Sequence, residues 1–340
     1  MKKLLTIILL FYGLHIGAQE GTLVVLNKSD HTVDLIDLTS HESVVTLPTG
    51  IGPHEVAISP DHTLAVITNY GNRNEPGQSL TVISIPQKKV IKTILLEYVS
   101  PHGIEFISDT NVLVTCEGSK KLIQVNINTG AIRKAIDTEQ ETSHMVAYSP
   151  VMNRAFVANI RSNSVSVIDL DKNRLDRILK TGKGAEGIAI SADGKEVWVT
   201  NRSNDTVTVL NVKTLETTHE IVSSKFPIRI KTTSDGKYAL VSNAQTGNLN
   251  VFDAKTKKLL TTISMNISVK EKEASRLFQD FDQSPVPVGI LIHPNNKTAF
   301  IANTNADIIT VIDLSTMKIS GRLTAGKEPD GLGYSNIKLQ

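Results

Sequence analysis

Cysteine is nearly missing from this chain: Cys116 is the only one in 340 residues. No intrachain disulfide can form, so stability must come from burial even in an oxidising compartment. Aromatic residues are also scarce, at 4%. That argues against the stacking platforms of single-stranded nucleic-acid binders and against the aromatic floors that sugars favour. Charge of one sign is lacking as well, since 36 Lys and Arg face 34 Asp and Glu. This balance leaves no basic footprint for nucleic acid. Helical periodicity is almost absent. So are the short catalytic signatures: no GxSxG elbow, no HExxH, no P-loop and no CxxCH haem site.

One apolar run stands at the N-terminus. Lys2 and Lys3 precede an apolar stretch over residues 4–16, and Gly17 and Ala18 follow. The stretch is short for a bilayer span, and the pattern is that of a signal peptide over residues 1–18, cleaved after Ala18. A retained amphipathic anchor is the alternative. No cysteine follows the run to accept a lipid. The expectation is one domain over 19–340, periplasmic or secreted, with no transmembrane segment in the mature chain.

Self-similarity then sets the architecture. Seven matched segments begin at His54, His102, His144, Glu186, Ile228, Val288 and Asp330, spaced 48, 42, 42, 42, 60 and 42 residues apart. Each leads into an apolar strand and an SPD-like turn. A second run follows and ends in a fixed polar residue: Asn27, Asn69, Cys116, Asn159, Asn201, Asn243 and Asn303. A third run resembles SVSVIDL at 164–170, and a fourth is shorter. Val, Ile and Thr dominate these runs, as a pleated, half-buried surface requires. Four strands per unit, divided by Gly, Asp, Asn and Pro turns, predict one propeller blade. The first unit begins at its second strand and the last ends after its first. The fold expected is therefore all-β: a seven-bladed β-propeller of four-stranded antiparallel blades, its N- and C-terminal strands sharing one blade. That closure removes exposed sheet edges.

The runs VWVTN at 197–201, AFVAN at 155–159 and AFIAN at 299–303, with the xVxVIDL runs and SPDG-like turns, resemble the YVTN-repeat bacterial β-propellers. Those are similar in turn to lactonase-like and haem-d1-type propellers. The resemblance covers nearly the whole mature chain. It implies the fold, and its repeat consensus encodes blade packing rather than a chemistry.

In a four-stranded blade, strand A lies nearest the axis and strand D outermost. D–A and B–C loops then share one face, and on that face the repeats break their own pattern. The position opening strand A is His, His, His and Glu in four consecutive blades. His54, His102, His144 and Glu186 form a candidate shell for Zn, Mn, Fe or Cu; turn chemistry is the structural alternative. Charges intrude where the other repeats carry small residues: Glu55, Glu105, Arg229 and Lys231. They fit cross-channel salt bridges in a wet tunnel, or else an anion site built on Arg229. With Asp330, the residues Arg229, Lys231 and Glu105 make a candidate ligand-binding set; Glu186 and Glu55 are the candidate bases. An insertion of about 18 residues before Val288 predicts a helix over 268–283. Ser268 and Glu271 fit a capping box, and Ala274, Leu277, Phe278 and Phe281 share one face. A lid and a rim decoration both suit it. The B–C loop around 70–79 is longer by about five residues. The fixed Asn residues are assigned to backbone bonding in the B–C turns. Cys116 shows no activating neighbour and is not assigned as a nucleophile.

Three functions remain open on these residues. The first is binding of a small or anionic ligand, or of a metal, at the channel mouth. The second is a metal-assisted lyase or lactone hydrolase using the same cluster. The third is an envelope scaffold with a protein partner and no channel chemistry.

Overall fold

The computed structural model describes residues 19–267, 281 and 283–339. The leader expected over 1–18 and almost all of the helix expected over 268–283 lie outside the described residues.

The β-branched runs form twenty-eight strands among the described residues, in seven four-stranded antiparallel sheets. Blade 1 is built from both ends of the chain: strand A is Pro329–Ser335, and strands B, C and D are Thr22–Asn27, Thr32–Asp37 and Glu42–Pro48. Strand A opens blades 2 to 7 at Pro53–Ile58, Pro101–Phe106, Ser143–Ser149, Ala185–Ile190, Pro227–Thr232 and Pro287–Ile292. The seven-bladed ring read from the repeat spacing is thus present, closed through Thr22↔Ser335 pairing. The only helix among the described residues is a 3₁₀ turn, Glu117–Ser119.

Packing follows the distance from the axis. Strand B is almost wholly buried in every blade, as in blade 5 (Glu196–Asn201), because both its faces meet neighbouring blades. Strand D alternates, with its outward residues in solvent, as in blade 2 (Lys89–Leu95). Trp198, Phe156, Phe252 and Phe300 are the largest fully buried side chains. Burying each such ring contributes about 2–3 kcal/mol.

The fixed Asn residues hold the blades in a way the sequence does not suggest. They do not chiefly serve the B–C turn. Asn69 donates through Nδ2 to Ser79 and Thr81 on strand C, at 2.9 and 3.0 Å, and its Oδ1 accepts from Gly50 N–H at 3.1 Å. Asn201 donates to Thr206 and Thr208 in the same way. The Asn therefore clamps strand C to the loop that enters its own blade from the preceding one. Gly50 must be glycine, because a Cβ there would lie 2.6 Å from the Asn69 side chain.

Candidate functional site: the channel mouth

Three local devices aim the first residues of strand A at the axis. Two positions before each ring residue the backbone is left-handed, at Gly52, Ser100, Thr142, Gly184, Phe226, Val286 and Glu328, with φ between 53° and 76°. The register against strand B then slips, between Pro53 and Val56, Pro101 and Ile104, Ser143 and Val146, and Ala185 and Ile188. Such bulges re-aim side chains. Finally, a hydroxyl at the end of strand B ties three of the ring residues to the preceding blade. Thr68 donates to the His102 carbonyl at 2.7 Å, Thr115 to the His144 carbonyl, and Ser242 to the Val288 carbonyl at 2.7 Å.

All seven ring residues line one cavity of about 320 Å³. The His102 and His144 ring centroids are 3.6 Å apart, and His54 is 5.0 Å from His102. Glu186 Oε1 lies 3.4 Å from His144 Nε2. The four residues matched in sequence are therefore neighbours in space. The tightest donor group, however, includes a residue outside that set. His102, Glu117 and His144 each offer a ligand atom within 4.8 Å of the others, the one such group among the described residues. Glu117 opens the 3₁₀ turn after strand B of blade 3 (Asn111–Cys116) and bonds His144 Nδ1, while Tyr70 Oη donates to its other oxygen at 2.7 Å.

Glu117 belongs to a second ring, formed by the residue that follows each fixed Asn or Cys116: Lys28, Tyr70, Glu117, Ile160, Arg202, Ala244 and Thr304. Its members pair with the first ring. Arg202 Nη1 binds Glu186 at 2.8 Å, and Lys28 Nζ reaches Asp330 at 3.4 Å. The sevenfold alignment carried this signal one position beyond the fixed Asn. Arg161, the next residue along in blade 4, is an exposed guanidinium that lines the cavity.

Burial and charge tune the imidazoles differently. Burial first, and Lys28 second, hold His54 down to about 4, and its Nδ1 lies 2.9 Å from the Gly52 carbonyl. Burial and the adjacent His144 keep His102 well below the ordinary range, so it is neutral, and its Nδ1 has no hydrogen-bond partner. At His144, burial opposes the imidazolium, but Glu117 and Glu186 outweigh it and raise the pKa. Burial works against ionised Glu117 and Glu186 too, yet His144, with Tyr70 for the one and Arg202 for the other, keeps both carboxylates below their usual range.

The charged intruders divide. Arg229, 5% exposed, donates through Nη2 and Nε to Glu55 Oε1 at 2.8 and 3.1 Å, and its Nη1 lies 3.6 Å from Glu186. Blades 2 and 6 are three apart in a ring of seven, so this pair crosses the channel. The cross-channel salt bridge is present, and the guanidinium considered for an anion is already engaged. Glu105 and Lys231 do not join the mouth. Both line a separate cavity of about 560 Å³ reached from the opposite face, because residues three positions into strand A lie deeper along the axis. Asp330 lines the mouth and faces Lys28. Cys116 is fully buried, its thiol pushed up to about 12 by that burial.

Fold and site together define a propeller with a polar, histidine-bearing mouth. The family described as Lactonase, 7-bladed beta-propeller matches residues 101–276, and the chain belongs to that family. Among curated proteins no relative matches. Solved structures similar to the chain share the fold at low identity. Hydrazine synthase of Kuenenia stuttgartiensis has a TM-score of 0.69 at 18% identity, over 82% of this chain and 88% of that one. A functionally unknown protein from Desulfotomaculum acetoxidans DSM 771 has 0.74 at 15%, over 93% and 99%. Dihydro-heme d1 dehydrogenase NirN in complex with DHE has 0.64 at 16%, over 91% and 65%. No helix among the described residues is long and apolar enough to cross a membrane.

Proposed function

We propose that the mouth binds a divalent transition metal, Zn, Mn, Fe or Cu, through His102, His144 and Glu117, and holds a small anionic molecule beside it. One observation carries this reading: three donor atoms of these residues converge within 4.8 Å, while buried His102 Nδ1 and His144 Nε2 lack hydrogen-bond partners. Two imidazoles and a carboxylate suit these borderline cations. Neutral His102 has a free lone pair, and Tyr70 fixes Glu117 from behind, as a second shell does. His54 and Glu186 flank the group as further donors. The exposed Arg161 guanidinium on the rim is the anion-holding residue, in place of Arg229, which Glu55 occupies.

Family membership favours a second reading, hydrolysis of a lactone at the same site. A bound metal would polarise the carbonyl and acidify a water there. The water's proton would pass to solvent at the open mouth rather than to His54 or Glu186: burial and Lys28 hold His54 down to about 4, and His144, Arg202 and Arg229 outweigh burial to hold Glu186 below its usual range. Export through the leader over residues 1–18 belongs to the same proposal. A pure protein-interaction scaffold would leave two matched rings of charge without a role.

The test is elemental analysis of the purified chain, without an affinity His-tag, after incubation with each of the four metals. Near-stoichiometric metal in the wild type and none in a His102→Ala/His144→Ala variant is the expected result, with Glu117→Gln weakened. No metal from any of the four, or retention by the double variant, would overturn the reading.

A further inference from the structure

The channel is not one space. Glu55 and Arg229 join across the axis, and both also line the second cavity, so their ion pair floors it. Beyond that floor lies a chamber of about 560 Å³ with Ile104, Ile188, Ile190, Ile230, Ile290 and Leu332 among its walls. Two further charges face it. Glu105 comes from blade 3 and Lys231 from blade 6, again three blades apart and so on opposite sides. Unlike Glu55 and Arg229, they form no ion pair. Lys231 is exposed to the chamber, and no described carboxylate lies within ion-pair distance of it. Glu105 has one oxygen fixed by the Tyr148 N–H at 2.8 Å. The chamber thus presents a carboxyl group held by one backbone bond, an exposed cation on the opposite side and aliphatic walls.

We propose that this chamber binds a short ω-amino acid, its carboxylate on Lys231, its ammonium on Glu105 and its methylenes against the aliphatic walls. A zwitterion fits because each end meets a charged group without an ion-pair partner, half-buried Glu105 and exposed Lys231. Methylene spacing fits because the two charges stand on opposite sides of a chamber with aliphatic walls. Burial pushes Glu105 up to about 7 against the pull of Lys231 and the Tyr148 N–H, so those two partners leave its carboxylate incompletely compensated. The site is separate from the mouth and does not rest on the metal reading.

The experiment is titration calorimetry near neutral pH with glycine, 4-aminobutanoate and 6-aminohexanoate, beside butanoate and butylamine as half-ligands. At least one amino acid should bind, and the half-ligands should bind about tenfold more weakly or worse. Lys231→Gln and Glu105→Gln should each weaken binding about tenfold, and the double charge exchange Glu105→Lys/Lys231→Glu should restore it. His102→Ala/His144→Ala should leave it unchanged. The proposal is overturned if none of the three amino acids binds at about 10 mM. It is equally overturned if binding survives both single substitutions, if the half-ligands bind as well, or if only the mouth variant abolishes it.

Discussion

Glu55→Gln tests whether the ring is tied across its axis as well as around it. The substitution keeps the shape and removes one charge. Arg229 would then sit 5% exposed with Glu186 Oε1 at 3.6 Å as its one remaining carboxylate within ion-pair distance and Asp330 acting on it from farther off. Breaking a buried pair costs about 3–5 kcal/mol when a charge is left alone. Two features reduce that here: Glu186 still compensates, and the Glu55 side chain is 15% exposed, so the Coulomb attraction is partly screened. The expected loss is about 2–3 kcal/mol, well above the worth of a surface pair. For a chain of 340 residues, the unfolding entropy at about 2.1 cal/mol/K per residue turns this into a fall in Tm of about 3–4 °C. Arg229→Met should cost a similar amount. The double variant should be far milder than the sum, because neither charge then remains buried alone. Circular-dichroism melts of the four proteins close the cycle. A coupling of about 2 kcal/mol is expected, nearly insensitive to added salt because the pair is buried. Single losses that simply add in the double variant would refute the cross-axis pair as a structural tie.

Glu105 should make stability depend on pH. Its folded pKa, about 7, exceeds its ordinary value of 4.5 because burial outweighs Lys231 and the Tyr148 N–H. The folded state therefore binds this proton more tightly than the unfolded chain does. The contribution is whole below about pH 4.5 and is lost as pH rises through about 7. Glu105→Gln should match wild type near pH 4.5 and gain about 2 kcal/mol near pH 8, a figure reduced for its opening into the chamber; a gain equal at both pH values would count against it. Cys116 should resist a thiol-specific disulfide reagent in the folded protein and react only on unfolding, since its thiol is buried and pushed up to about 12. Rapid labelling of the native chain would contradict this placement.

The blade count was legible because packing repeats. Spacing the same Val and Ile runs by 42 residues states the fold before any contact is known. His54, His102, His144 and Glu186 were legible for the same reason: they break a pattern at one matched position. Glu117 was not, because a residue after a strand end looks like loop variation in any single repeat. Its partners come only from the neighbouring blades, Tyr70 of blade 2 and His144 of blade 4. The pairing of Glu55 with Arg229 was visible only as one of two options. The two are 174 residues apart, and whether they touch depends on the channel's width at that depth. The duty of the Asn residues is not legible because a turn is the nearest partner in sequence, whereas the partners lie on strand C and in the D–A loop entering the same blade.

The two rings also explain why the polar mouth is one-sided. Blades 2 to 5 carry a continuous chain of contacts, from Tyr70 to Glu117, His144, Glu186 and Arg202. Blades 6 and 7 carry Ile228, Ala244 and Val288 at the matched positions, and these pack with Val286, Phe226 and Phe281 into one apolar cluster. Phe281 belongs to the inserted D–A connection and meets the Phe226 ring at 4.8 Å, while the Arg202 guanidinium lies 5.1 Å from the other partner of that contact, Phe226. The apolar half of the rings therefore anchors the end of the insertion, and the charged half is left to face the cavity. A polar substitution such as Ile228→Thr would strike the anchor and not the donors. Its cost would appear in packing of the inserted connection, with the His102, Glu117 and His144 group intact.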